Sequence, residues 1–194
     1  MNNERNVLVV LSGPSGVGKG TIAKKLVEND ENIALSISCA TRSPREGEIN
    51  GREYFFISKE EFKEKIANDG FLEYSEHFEN YYGTPKDFVL KMLANKNVLL
   101  EIDVNGGLEV KKNYSSAILI MILPPSVDEI KNRLLKRGTE TEEKINLRMS
   151  RLEYEISKKE FYDYSVVNDN LELCIEQIKQ IIKNERKKLN DNLV

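Results

Sequence analysis

The chain has 194 residues, enough to bury a sizeable core as one domain carrying an inserted lobe or a lid, and its 29 Lys+Arg against 32 Asp+Glu give a net charge of −3, which does not favour a nucleic-acid binder. Two cysteines far apart, Cys39 and Cys174, make neither a zinc motif nor a disulfide framework, and the single histidine, His77, argues against a histidine-based triad or metal site. The polar start Met1–Asn6 lacks the apolar run of a signal peptide, and the longest apolar run, Ala117–Leu123, is too short to span a bilayer, so a soluble, cytoplasmic protein is expected.

Val7–Leu11 reads as a buried first strand. Gly13-Pro14-Ser15-Gly16-Val17-Gly18-Lys19-Gly20-Thr21 follows, and Ile22, Ala23, Leu26 and Val27 then recur at helical spacing. Strand, glycine-rich loop and helix is the setting in which backbone N–H groups wrap a phosphate chain at a helix N-terminus. Lys19 would reach the β- and γ-phosphates as a point charge. The usual pattern places Ser or Thr after the lysine to hold magnesium; here Gly20 stands there and Thr21 comes one residue late.

Leu35–Cys39 reads as a second strand. From about Ser38 to Tyr82 the pattern changes: a polar, turn-rich loop at Arg42–Arg52, a short strand Tyr54–Ile57, a capping box at Ser58 and Glu61 opening a short helix, then an extended stretch Phe71–Phe78. This predicts an inserted lobe of mixed strands with one helix. Val98–Ile102, Ile118–Leu123 and Ser165–Val167 read as further strands of the main sheet. Several are apolar on consecutive residues, as expected of parallel strands covered on both faces.

Helical patterns lie between them. Ser126 and Glu129 form a second capping box before Ile130, Leu134 and Leu135. The polar stretch Lys136–Glu143, with Gly138, reads as the tip of a lid. Ile145, Met149, Leu152 and Ile156 mark one helix face, and Ile175, Ile178 and Ile182 another. The fold class expected is α/β: a core with a parallel sheet flanked by helices, an inserted mixed lobe and a helical lid.

Read together, these motifs resemble those of the guanylate kinases. They are G-P-S-G-V-G-K-G-T at Gly13–Thr21, S-C-A-T-R-S-P-R at Ser38–Arg45, G-E-I-N-G-R-E-Y at Gly47–Tyr54, F-L-E-Y at Phe71–Tyr74 and N-Y-Y-G-T at Asn80–Thr84. L-E-I-D-V-N-G at Leu100–Gly106, L-P-P-S at Leu123–Ser126, R-G-T-E-T-E-E at Arg137–Glu143 and V-V-N-D at Val166–Asp169 complete the series, which spans about Val7 to Glu185. The resemblance implies a P-loop NTPase fold and the reaction ATP + GMP giving ADP + GDP with Mg²⁺. It implies a single domain: core at about 1–37, 84–130 and 155–194, GMP-binding lobe at about 38–83, lid at about 131–154.

The same resemblance implies the site residues. ATP falls to the loop from Gly13 to Thr21 (Gly13, Pro14, Ser15, Gly16, Val17, Gly18, Lys19, Gly20 and Thr21), with Asn168 and Asp169 near the adenine. The GMP phosphate falls to Arg42, Arg45, Tyr54 and Tyr82; guanidinium forks and phenol hydroxyls suit a dianion. Ser38, Glu73 and Thr84 would read the base. A carboxylate accepts only, and guanine offers two donors on one edge where adenine presents an acceptor. Lys19, Arg42, Arg133, Arg137 and Arg148 would neutralise the transferring phosphoryl group; the nucleophile is an ionised phosphate oxygen, so no base is required. Arg151 is left as surface charge.

Glu101 and Asp103 end a core strand two residues apart, which predicts a shared face. Asp103 is expected to organise Mg²⁺ through water and to contact the acceptor nucleoside; Thr21 is a second metal candidate. The chain departs from the family pattern at Thr84, where Ser is more frequent, at Glu101 for Asp, and at Asn105 for Gln. Two other readings stand beside the lead. A kinase-like scaffold binding phosphopeptides lacks the lysine or the lid arginines, all present here, and a kinase for AMP or UMP would not carry Glu73 with Ser38. The partners expected are ATP and GMP, with no nucleic acid and no membrane; dGMP acceptance and oligomeric state are left open.

Overall fold

The computed structural model describes residues 5–77, 79–128 and 142–191. In chain order the elements are β1 (Leu8–Ser12), α1 (Lys19–Asn29), β2 (Ile33–Leu35), β3 (Ser38–Ala40), β4 (Tyr54–Phe56), α2 (Lys59–Ala67), β5 (Phe71–His77) and β6 (Asn80–Pro85). There follow α3 (Lys86–Leu93), β7 (Asn97–Glu101), α4 (Val104–Asn113), β8 (Ile118–Leu123), α5 (Glu142–Ser157), a 3₁₀ turn (Lys158–Phe161), β9 (Tyr164–Val167) and α6 (Leu171–Asp191).

Consecutive apolar residues on β1, β7 and β8 serve two cores. Along a strand the side chains alternate between faces. Val9 and Leu11 of β1, Leu99 of β7 and Ile118, Ile120 and Ile122 of β8 meet Ile22 and Leu26 of α1 and Ile175, Ile178 and Ile182 of α6. Leu8 and Val10, Val98 and Leu100, and Leu119 and Met121 point the other way, onto Val89 of α3 and Val104 and Val110 of α4. The five strands run parallel in the order β2-β7-β1-β8-β9. Their C-terminal ends therefore open on one side, where ligands gather in open α/β sheets.

A second sheet has the order β4-β3-β6-β5, parallel between β3 and β4 and antiparallel elsewhere. Phe62 of α2 lies between Phe71 at 4.3 Å and Tyr81 at 5.4 Å, centroid to centroid, in a small aromatic core. The capping box at Ser58 and Glu61 is present in both directions. Leu35–Cys39, expected as one strand of the main sheet, is instead two. Ile33–Leu35 pairs with β7, and Ser38–Ala40 pairs with β4 and β6 of the second sheet. An apolar run cannot show that its two halves join different sheets. Strand β6 and helices α3 and α4 were not expected from the sequence pattern. The lid tip and the capping box completed by Glu129 lie outside the described residues.

Helix α6 offers a direct check. Ile178 is fully buried against α1 and the sheet, whereas Leu173, on the same helix, is 66% exposed. Ile178→Ala is expected to cost about 2–5 kcal/mol in urea unfolding, and Leu173→Ala less than about 0.5 kcal/mol. Equal costs would contradict the docking of α6 on this face.

Candidate functional site

The chain leaves β1 at Ser12 and turns through the glycine-rich loop into α1. Gly13 has φ +150°, and a Cβ there would stand 2.3 Å from the Ile122 carbonyl oxygen of β8, so only glycine lets the loop pass so close to the neighbouring strand. Gly18, with φ 101°, caps α1, which has no side-chain cap. The first amides of α1 are therefore not occupied by a capping side chain, the condition for an anion site at a helix N-terminus. The Lys19 ammonium donates to the carbonyls of Gly13 at 2.6 Å and Pro14 at 3.2 Å, which folds it over its own loop. Burial pulls its pKa down, while Glu101, Glu155 and Asp103 push it back up.

Beside the loop lies a cavity of about 370 Å³, at the scale of small-ligand sites. Of the residues expected on the acceptor nucleotide, Ser38, Arg42, Arg45, Tyr54, Glu73, Tyr82 and Asp103 all line it. Their positions follow from the two sheets. Ser38 opens β3, Tyr54 opens β4, Glu73 sits in β5 and Tyr82 in β6. The Arg42 guanidinium lies 5.2 Å from the Tyr54 ring centroid and 5.5 Å from that of Phe56. The Tyr54 and Tyr82 rings meet edge-on at 6.0 Å. A larger cavity, about 660 Å³, opens against Ile33 and Asn97 at the opposite ends of β2 and β7, and contains no residue of the glycine-rich loop.

Glu73 is the most strongly placed of these residues. It is 6% exposed, opposite Thr84 in the β5–β6 ladder, just after a register irregularity that re-aims the strand. The Thr84 hydroxyl donates to Glu73 Oε1 at 2.6 Å, and the Thr84 backbone also hydrogen-bonds the carboxylate. Thr84 thus acts behind Glu73 and does not line the cavity. Gly106, at the start of α4, makes room: a Cβ there would stand 3.1 Å from Glu73 Oε2. Burial raises the Glu73 pKa to about 7 against the hydrogen bonds from Thr84.

Glu101 and Asp103 both line the cavity, but not by strand alternation. Strand β7 ends at Glu101, and Asp103 is the N-cap of α4, its Oδ1 accepting from the amides of Asn105 and Gly106 at 2.9 Å each. The expected shared face is replaced by a strand end and a helix cap, because α4 begins three residues after Glu101. Asp103 Oδ2 is 3.8 Å from His77 Nε2. A Cβ on Gly20 would stand 3.5 Å from Glu101 Oε1, so a carboxylate oxygen lies beside the position where the usual hydroxyl is missing. Two hard oxygen ligands beside the loop fit Mg²⁺, which binds nucleotide sites through phosphates and one or two carboxylates. Among the described residues no group of three or more His, Cys, Asp or Glu could hold a metal by itself. Thr21 is exposed on the first turn of α1.

Three contacts were not legible in the sequence. The Asn168 amide donates to the Val17 carbonyl at 2.8 Å and so braces the loop from β9. Glu155 of α5 is buried, takes a backbone hydrogen bond from Ser15, and its pKa is raised by burial against Lys19. Glu48 holds the Arg42 guanidinium. Arg133 and Arg137 lie outside the described residues; Arg148 falls within α5, but its side chain is outside them too. Arg151, read as surface charge, lies with Asp103 and Glu155 along an adjoining cavity and is exposed.

Glu73 has a consequence for stability. The unfolded carboxyl loses its proton near the ordinary 4.5, and the folded one near 7, so the folded state holds the extra proton between and loses stability as pH rises through that window. The cost above pH ~7 is on the order of 3 kcal/mol. Glu73→Gln is therefore expected to raise the urea midpoint at pH ~8 and to do so much less at pH ~5. A gain independent of pH would refute the raised pKa.

The sequence matches the family model described as guanylate kinase over residues 5–185. It is 52% identical over 184 residues to the guanylate kinase of Clostridium tetani, covering 94% of this chain and 88% of that protein. It is 47% identical over 190 residues to the guanylate kinase of Caldanaerobacter subterraneus subsp. tengcongensis, covering 97% and 92%. The fold superposes on the crystal structure of guanylate kinase from Anaplasma phagocytophilum with a TM-score of 0.74 and 32% identity, covering 94% of this chain and 87% of that one.

Proposed function

The chain belongs to the guanylate kinase family, and from that premise we propose that the loop at Gly13–Thr21 binds the ATP phosphates while the neighbouring cavity binds GMP. The reaction is phosphoryl transfer: ATP + GMP give ADP + GDP. The observation that carries the GMP assignment is the buried Glu73 carboxylate facing the cavity, held from behind by Thr84. Guanine's ring N–H and exocyclic amine can donate to it together, and Ser38 adds a hydroxyl on the same wall. Adenine would leave a buried acceptor facing another acceptor.

Arg42, Arg45, Tyr54 and Tyr82 take the GMP phosphate. Lys19 releases its loop carbonyls for the β- and γ-phosphates of ATP, a stronger partner than two neutral oxygens. Arg133, Arg137 and Arg148 add positive charge to the transferring group. Glu101 and Asp103 would hold Mg²⁺ with the triphosphate, and the ion supplies charge neutralisation between donor and acceptor. Asn168 keeps the loop in shape through Val17. The GMP phosphate oxygen attacks while ionised, so rate comes from alignment and charge, and no side chain takes a proton. Among the described residues no helix is long and apolar enough to cross a membrane.

The purified protein with Mg²⁺ and ATP should form ADP rapidly with GMP and not with AMP or UMP, and Glu73→Gln should lose most of a GMP-over-AMP preference on the order of 10⁴. Turnover on AMP or UMP would overturn the base assignment, and tight GMP binding without turnover would favour a scaffold. Lys19→Ala should lower kcat by about 10²–10³-fold with GMP binding retained, measured by steady-state kinetics and calorimetry. An unchanged kcat would remove Lys19 from the transfer site.

A further inference from the structure

Arg42 does not stand free in the cavity. Its Nη1 donates to the Ser43 carbonyl at 3.0 Å and to Glu48 Oε2 at 2.6 Å, and its Nη2 donates to Glu48 Oε1 at 2.8 Å. The same carboxylate accepts the Arg45 amide at 2.8 Å. One glutamate, six residues beyond Arg42, thus ties the side chain of one arginine and the backbone of the other. Both partners of the ion pair are largely sheltered, with 14% and 17% of their side chains exposed. The Tyr54 and Phe56 rings lie against the guanidinium at 5.2 and 5.5 Å.

A guanidinium has five N–H donors in a fixed plane. Glu48 takes the end fork, formed by Nη1 and Nη2, and Ser43 takes the remaining Nη1 hydrogen. The donors left over are Nε–H and the second Nη2–H, which lie parallel on the side edge and form the other fork that matches two oxygens of a carboxylate or phosphate. The Tyr82 hydroxyl oxygen accepts from the same guanidinium, so Tyr82 shares a side-fork donor with an arriving phosphate. With the end fork held by Glu48 and the Tyr54 and Phe56 rings close by, the planar guanidinium sets the direction of the side fork.

We infer that Glu48 is a positioning residue for the acceptor phosphate: it occupies the end fork of Arg42 so that the side fork is presented to the phosphate of GMP, and it sets the Arg45 backbone in the same step. The inference rests on the assignment of Arg42 to that phosphate. Glu48 stays in place when the nucleotide binds, because the phosphate uses donors that Glu48 does not. A Gln at this position keeps the length and loses the fork, since its amide nitrogen faces a guanidinium donor with another donor. The ordering of a long side chain before the ligand arrives then has to be repeated at each binding event.

The test is a double-mutant cycle of Glu48→Gln and Arg42→Ala, with Kd for GMP and for guanosine from calorimetry and kcat and KM from steady-state assays. Glu48→Gln is expected to raise Kd and KM for GMP by about 10- to 100-fold, the scale of charge-assisted hydrogen bonds, with guanosine binding within about twofold and kcat at saturating GMP within about threefold. In the Arg42→Ala background the same change should raise Kd for GMP by less than about threefold. Tighter or unchanged GMP binding in Glu48→Gln would overturn the inference and make Glu48 a competitor or a bystander. Equal losses for GMP and guanosine, or an additive cycle, would reduce it to a structural tie of the loop. If Arg42→Ala itself leaves Kd for GMP unchanged, the phosphate assignment fails first and the inference falls with it.

Discussion

Two polyanions have to meet in a chain whose own net charge is negative, and the site walls add to the difficulty. Glu73, Glu101 and Asp103 line the cavity, and Glu155 faces Lys19 from α5. Unopposed, these carboxylates would repel both nucleotides. The structure handles this by giving most of them a prior task. Asp103 caps α4 with one oxygen. Glu48 is bound to Arg42 and held at a pKa of about 2, so it stays ionised and paired. Glu155 and Glu101 sit in the field of Lys19. The cations are restrained in the same way: Lys19 by two loop carbonyls, Arg42 by Glu48. The charges around the loop and the cavity are thus paired or restrained within the protein itself.

That arrangement depends on the sheet. β1 and β7 are in register from Leu8 and Val98 to Leu11 and Glu101, which fixes the acidic strand end beside the start of the loop. β8 lies on the other side of β1, and its Ile122 carbonyl sets how closely Gly13 must pass. The 103–106 turn is tied to both layers: the Ser12 hydroxyl donates to the Asp103 carbonyl at 3.1 Å, and the Tyr162 hydroxyl donates to the Val104 carbonyl at 3.0 Å. Gly107 is small for the same reason, since a Cβ there would stand 2.3 Å from the Tyr162 oxygen. A packed interior transmits such constraints with little slack. The glycine-rich loop and the 103–106 turn are therefore positioned against the same strand.

The sequence made most of the main sheet legible, because short apolar runs of strand length bounded by turn residues fit buried parallel strands. β1, β7, β8 and β9 fall within a residue or so of their expected spans. The failure at Leu35–Cys39 has a physical cause: the chain changes sheet between Leu35 and Ser38 while staying apolar, and pairing partners are not written in local hydropathy. The site was legible as a set of residue types at motif spacing. What it lacked was who holds whom. Arg42 and Glu48 lie close in sequence, yet nothing in the loop composition shows that they form a fork. Asn168 and Val17 are 151 residues apart. Glu155 reads as one more charge on a helix until Ser15 and Lys19 are seen beneath it.

Glu73 shows what a second sheet adds to the cavity wall that a loop alone would not. A carboxylate has acceptor capacity for about four hydrogen bonds, and Thr84 supplies its hydroxyl and backbone contact from the paired strand. The remainder faces the cavity from a side chain that is almost wholly buried. Burial therefore disfavours the ionised form relative to a free carboxyl, which raises its pKa to about 7. A ligand that brings two donors to the open oxygens would favour the ionised form. The β5–β6 ladder fixes Thr84 opposite Glu73, and Gly106 leaves room for the second oxygen. A flexible loop would let the carboxylate swing to solvent, whereas the paired strands hold it toward the cavity.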